Sequence, residues 1–478
     1  MNMLVSMNRE VCQFMARDAK ERTMAIVSSL LKRRDFLRVG GGLAIAATAA
    51  FGSGTRPADR SRAKSCILIY LLGGPPQLDT FDLKPNAPVE IRGPFRPIAT
   101  RDPGVHICEH LPRLAEMTNR FALVRSVSYP NHNHTPMIYY TLTGRLVERP
   151  NEDNDVRPPQ RNDYPHIGSV LARHRAAPPG LPGYVAIPEL AVRSSLSGEF
   201  KRTRQLLRGG AGGFLGPIVD PLSVNGDPGT HDAIPALALP RDVSDARLEQ
   251  RAALLSVLEQ RGPTSQGTHM HGALRQQAVT LTGAVGGASA FFSLDREPVA
   301  VRERYGRHRF GRAMLLARRL AEAGVPMTAI HFNEMTICDG WDTHSNNFEA
   351  LRTELLPMVD QSLSALLDDL AARGLLEETI VVMMGEFGRT PRINGNAGRD
   401  HWGSCQSVLL AGGGLRGGAV YGASDRIAAY PIDNPVDPVD LHATIYHCMG
   451  LNPHQMMTDQ LKRPQPLSTG RVISALVQ

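Results

Sequence analysis

Hydrophobic residues along this chain alternate between short solid runs and longer periodic stretches. Cys66-Ile-Leu-Ile-Tyr-Leu-Leu72 is apolar throughout and ends in Gly73-Gly74, which predicts a strand buried on both faces. Phe310, Met314, Ala317, Leu320 and Ala321 recur at helical spacing, Gly324 ends that helix, and residues 326–332 predict the next strand. The unit repeats downstream. Leu363, Leu366, Leu367 and Leu370 form one helix face, Gly374 caps it, and residues 379–384 predict a strand. Helices alternating with apolar strands predict an α/β fold: a doubly wound, mostly parallel sheet with helices on both faces. In such sheets ligands gather beyond the C-terminal ends of the strands.

Two stretches break the pattern. Residues 146–240 are rich in Pro, Gly and charge, and read as a long loop-rich insertion; residues 242–262 return to helical spacing. At the N-terminus, Lys32-Arg33-Arg34-Asp35-Phe36-Leu37 precedes a Gly/Ala-rich, weakly hydrophobic run with an Ala-x-Ala ending near Ala49 and Ala50. A basic stretch, an apolar core and a small-residue end are the three parts of a signal peptide. The Arg-Arg-x-Phe-Leu string resembles the twin-arginine export signal. Residues 1–50 are therefore expected to be a twin-arginine signal and residues 60–478 a single domain. The expected location is periplasmic or otherwise extracytoplasmic, with the twin-arginine translocase as a partner during export.

Bulk composition adds little. The chain has 478 residues, 42% hydrophobic and 21% charged, as an ordinary globular protein does. The formal charge of +7 is concentrated at the start, where eight Lys/Arg face four acids within residues 1–38. No basic face remains to suggest a nucleic-acid partner. No apolar run reaches the roughly 18 residues that span a bilayer, so no stable membrane span is expected after cleavage. None of the six cysteines forms a CxxC pair, which disfavours a thiolate zinc site.

Chemistry concentrates in four segments, each just past a predicted strand or at a strand-to-helix turn. Gly73-Gly-Pro-Pro-Gln-Leu-Asp79-Thr-Phe-Asp82 puts hard oxygen ligands after a glycine turn. Asn131-His132-Asn-His134-Thr135-Pro136 sets polar groups at a helix N-terminus, where anions are favoured. Asp339-Gly-Trp-Asp342-Thr-His344 has the composition of a metal site. Gly385-Glu386-Phe-Gly-Arg389-Thr-Pro is followed by Arg399-Asp400-His401-Trp402, a second carboxylate and imidazole set.

With these residues in place, the chain resembles the alkaline phosphatase/sulfatase superfamily. Thr135-Pro136 running to Leu142-Thr143-Gly144-Arg145 is similar to that superfamily's nucleophile and the helix after it. Asp440-Leu-His-Ala-Thr444 to Gly450 is similar to its C-terminal helix motif. More closely, Gly-Gly-Pro-x-x-x-Asp-Thr-Phe-Asp, Gly-Trp-Asp-Thr-His and Gly-Glu-Phe-Gly-Arg-Thr-Pro…Gly-Arg-Asp-His-Trp resemble one exported bacterial branch, catalogued as domain of unknown function 1501. The resemblance covers about residues 60–470. It implies two divalent cations, of zinc, manganese, calcium or magnesium, bridging an anionic ester. Asp342 and His344 with His401 look like one metal set, with Asp400 beside them. Asp79, Glu386 and the nucleophile region look like the other.

The sequence also departs from the superfamily pattern. Gly73-Gly74 stands where an acid usually ends the first strand, and Glu386-Phe387 stands where Asp-His is usual. Counting back from Gly144, the nucleophile position falls on His134 rather than Thr135. Two functions from different classes follow. One is an exported hydrolase of phosphate or sulfate esters, in which Thr135 or a metal-activated water attacks. In that reading His132 and His134 serve proton transfer or metal binding, and Arg389 neutralises the anion. The other is a non-catalytic, metal-stabilised binding or assembly protein that keeps the fold. A formylglycine sulfatase is disfavoured, because no Cys lies near Thr135.

Overall fold

The computed structural model describes residues 63–149, 157–194, 203–229, 245–261, 292–332 and 340–478, with isolated positions between them. The signal-like segment and Asp339 lie outside the described residues. Strands β1 (Ser65–Leu71), β2 (Phe121–Val127), β3 (Tyr184–Ile187), β4 (Leu222–Ser223), β5 (Met327–Phe332) and β6 (Thr379–Met384) belong to one eight-stranded sheet. A short hairpin, β7 (Gly388–Arg389) and β8 (His401–Trp402), stands outside it; β9 (Gln406–Ala411) and β10 (Val420–Tyr421) complete the sheet. The spatial order is β10-β2-β9-β6-β1-β5-β3-β4. Every pairing is parallel except those of β9, which runs against both β6 and β2. The fold is thus a mixed, mostly parallel α/β sheet, as the alternating pattern predicts.

The solid apolar runs are explained by cover on both faces. Side chains alternate along a strand. Ile67, Ile69 and Leu71 of β1 point to one core, with Phe310, Leu316 and Leu363. Cys66, Leu68 and Tyr70 point to the other, with Met137, Leu142 and Leu441. The first core is roofed by the helices Arg309–Glu322 and Leu356–Ala372. The second is roofed by α1 (His134–Thr143), α2 (Ile167–His174) and, near the C-terminus, the helix Pro438–Cys448. With no face left in water, alternation disappears from the sequence.

The stretch 146–240 does more than loop. It contributes α2 and the two strands β3 and β4 that extend the sheet at one edge. Its Pro and Gly content hides strands of only four and two residues, which are too short to show a period. No helix among the described residues is long and apolar enough to cross a membrane.

Helix α1 carries a site residue at its first position, so its seating matters. His442, on the helix Pro438–Cys448, is buried and donates its Nε2–H to the Thr141 carbonyl of α1 at 2.7 Å. Burial pushes the His442 imidazole down to about 4, against the pull of the Thr141 carbonyl. The folded chain therefore refuses a proton that the unfolded chain accepts near pH 6.5. The stabilisation is complete above pH 6.5 and falls away as pH drops towards 4, a loss of about 3 kcal/mol. Denaturant unfolding at pH 7 and pH 4 is expected to show this loss, and His442→Gln should flatten it. Equal pH dependence in the two proteins would remove His442 as the cause.

Candidate metal centre

Parallel strands bring their C-terminal ends to one edge. β1 leads into Gly73, β6 leads into Glu386, β2 leads round to α1, and β5 precedes Trp341 and Asp342 in the chain. Gly73 has φ +112°, and a Cβ there would lie 2.3 Å from the Asp342 nitrogen. Only glycine permits that approach. The β7–β8 hairpin then sets Arg389 opposite His401 in register. Gly398 completes the packing, since a Cβ on it would stand 2.0 Å from the His344 carbonyl oxygen.

Four side chains converge here. His401 Nε2 lies 3.1 Å from Asp342 Oδ1, and His344 Nε2 lies 3.2 Å from the same oxygen. The two imidazole nitrogens are 2.8 Å apart. His134 Nε2 faces Asp342 Oδ2 at 3.4 Å. Ligand atoms of His134, Asp342 and His401 all lie within 4.8 Å of one another, which a single cation could bridge.

Two of the imidazoles are oriented from behind. His134 donates Nδ1–H to Glu386 Oε1 at 2.7 Å, and His344 donates Nδ1–H to Asp400 Oδ1 at 2.8 Å. Each carboxylate turns its ring so that Nε2 faces the centre, and in the neutral imidazole it favours the tautomer whose Nε2 carries the lone pair. His344 and His401 thus oppose nitrogens at a distance where two lone pairs repel unless a proton or cation lies between them. That arrangement, with His134 Nε2 also turned towards Asp342, fits a cation with nitrogen and carboxylate ligands. Phe387 packs against both His134 and His401, its ring centre 4.9 Å from each.

The electrostatics follow from the same contacts. Burial opposes charge on Asp342, yet hydrogen bonds from His134 and His401 and the Arg389 guanidinium hold its carboxyl far below the usual range. Burial likewise opposes protonation of His134, but the Asp342 and Glu386 carboxylates outweigh it and lift the imidazole to about 9. His401 shifts down, because burial and the nearby positive charges of His134 and Arg389 exceed the pull of Asp342.

The other residues singled out from sequence take different places. Glu386 and Asp400 stand behind imidazoles, not among the converging atoms. Asp79 is fully buried and clamped by Arg399, whose Nε reaches Oδ2 at 2.7 Å and Nη2 reaches Oδ1 at 2.9 Å. Asn347 donates a further bond to Asp79 Oδ2 at 2.8 Å. Asp82 is likewise engaged, by Lys84 at 2.9 Å and by Ser424. Arg389, expected to meet an anion, has no exposed surface. Its guanidinium donates to the carbonyls of Gly73, Gly74, Trp341 and Arg399 and to Asp342 Oδ1 at 2.5 Å. Thr135 is half-buried in the first turn of α1, and His132 is exposed on the loop before it.

The sequence alone gave no role to Arg399, Asn347, Gln77 or Phe387. Gln77 exchanges hydrogen bonds with the Arg389 backbone, both at 2.9 Å. Arg399 lies inside a quoted motif, but nothing in that motif points to an acid 320 residues away. Removing Asp79 leaves the Arg399 charge buried and uncompensated. Asp79→Asn is expected to lower unfolding free energy by about 3–5 kcal/mol, measured by denaturant titration. A change below about 1 kcal/mol, the range of exposed pairs, would contradict the buried pairing.

Among curated proteins no sequence matches this chain. Several solved structures are similar at low identity. A phosphonate monoester hydrolase from Silicibacter pomeroyi is 14% identical, over 87% of this chain and 76% of that one, with a TM-score of 0.34. A sulfatase from Pseudoalteromonas sp. is 13% identical, over 82% and 68%, with a TM-score of 0.35. A putative sulfatase from Bacteroides thetaiotaomicron is 11% identical, over 87% and 74%, with a TM-score of 0.36. A family model described as "Protein of unknown function (DUF1501)" matches residues 63–477, which hold the whole of the sheet and its covering helices, and the chain belongs to that family.

Proposed function

We propose that this chain is an exported, metal-dependent hydrolase of phosphate or sulfate esters. The observation that supports the reading is the convergence of His134, Asp342, His344 and His401, two of whose imidazoles are braced by carboxylates. Nitrogen-rich donors with one carboxylate suit zinc, and manganese less closely. A divalent cation held there would polarise an ester oxygen and activate the attacking group.

The chain's own groups then have separate tasks. Glu386 and Asp400 hold the His134 and His344 rings so that Nε2 faces inward. Asp342 supplies the single carboxylate, kept ionised by its neighbours. Thr135 is the second residue of a ten-residue helix whose N-terminal dipole favours an ester's anionic oxygens. Its hydroxyl is the nucleophile we favour, because its β-branch restricts the side chain to few rotamers. The neighbouring His134 serves as a ligand.

Nitrophenyl phosphate, phosphodiester and sulfate substrates, each with zinc, manganese, calcium or magnesium, test the reading. Hydrolysis of at least one ester is expected, and removal of metal with a chelator should abolish it. His134→Ala and His401→Ala should lower both metal content and turnover. Glu386→Gln should weaken metal affinity about 10–100-fold, as loss of a residue orienting a ligand does. Thr135→Ala should abolish turnover while metal content stays. Full activity in that variant would pass the attack to water or His134. A metal-loaded wild type inert towards every ester would favour the binding or assembly protein instead.

Export is part of the same proposal, and rests on Arg33–Arg34 ahead of the Gly/Ala-rich run. Replacing the pair by Lys-Lys is expected to leave the protein in the cytoplasm, as cell fractionation would show. Undiminished export of that variant would overturn it.

A further inference from the structure

Two cations are what the superfamily resemblance implies, and the second of them finds no seat among the described residues. We infer that the centre holds one divalent cation, and that the buried Arg389 guanidinium supplies fixed positive charge in place of another. This rests on the metal-centre reading above and narrows it.

The carboxylates expected for a second cation are already engaged. Both oxygens of Asp79 face the fork of Arg399, and Oδ2 also accepts from Asn347. Arg399 is itself fixed, donating to the Ile91 carbonyl at 2.8 Å, to Thr390 at 3.2 Å and to Pro391. Neither partner has exposed surface, so Asp79 cannot swing to a metal without stranding a buried guanidinium. Glu386 Oε1 accepts from the Gly73 N–H at 2.8 Å and from His134. Only its Oε2 is left over, buried without a hydrogen-bond partner. That leaves a second cation one protein oxygen, where zinc sites supply three or four protein ligands. Among the described residues, His134, Asp342 and His401 are the one group of three that could hold an ion.

The neighbourhood of Asp342 is closed in the same way. Arg389 Nη2 sits 2.5 Å from Asp342 Oδ1, and the remaining donors of the guanidinium go to four backbone carbonyls. Those carbonyls belong to the segments after β1 and β6 and to the loop that carries Trp341. A cation held in the centre would therefore share Asp342 with the guanidinium. A second metal there would have to displace a guanidinium that five acceptors hold.

Zinc stoichiometry tests this without reference to activity. Wild-type protein would be stripped with a chelator, loaded with Zn2+, freed of excess by gel filtration, and measured by elemental analysis alongside a calorimetric Zn2+ titration. One tight equivalent per chain is expected. Asp79→Asn, to the extent that it folds, is expected to keep that one equivalent, because Asp79 binds Arg399 and not metal. Two equivalents in the wild type would overturn the single-cation assignment and leave the hydrolase reading standing. So would loss of zinc from folded Asp79→Asn protein. No zinc bound at all would remove the metal-centre reading itself, and this inference with it.

Discussion

The site depends on one buried guanidinium. Arg389 gathers the carbonyls of Gly73, Gly74, Trp341 and Arg399, and so ties together segments that leave three different places at the sheet edge. Its remaining contact is Asp342, which it turns so that one oxygen faces His344 and His401 and the other faces His134. A charge with no exposed surface is stable only when its donors are satisfied. The backbone carbonyls meet that demand, and in doing so they fix where the loops lie. The glycine at 73 is the other half of the arrangement, because any Cβ there would strike Asp342.

Around that anchor the acids divide by environment, not by residue type. Asp79 is a wholly buried partner of Arg399. Glu386 and Asp400 orient imidazoles, one without exposed surface and the other half in solvent. Asp342 alone among them reaches the converging atoms, and its neighbours keep it ionised. A carboxylate facing a lone pair's back and a carboxylate facing a cation look identical in a sequence. They differ only in what stands opposite.

The elements nearest the core were the most legible. The runs at 66–72, 326–332 and 379–384 became β1, β5 and β6 with shifts of a residue or less, since burial on both faces leaves an unbroken apolar record. The segment 146–240 was legible only as composition. Its strands pair for so few residues that no period could form, yet they extend the main sheet. The four chemical segments were visible because each combines glycine with carboxylate and imidazole just past a strand. Their mutual assignments were not visible. Arg399 finds Asp79 and Glu386 finds His134 across 320 and 252 residues of chain, distances over which no spacing rule operates.

What the sequence by itself determined, then, is the alternation of apolar strands and helices, the family to which it belongs, and the short list of acids and histidines at the strand ends. These follow from burial and local turn chemistry, which each segment records in its own residues. The tertiary structure alone decided which strand ends are neighbours, and hence which acids face imidazoles, which face arginines and which one faces the centre. That choice is made by the order β2-β9-β6-β1-β5 across the sheet and by the β7–β8 hairpin that sets Arg389 beside His401. Buried charge requires a partner at hydrogen-bond distance, and only the folded chain establishes who stands at that distance.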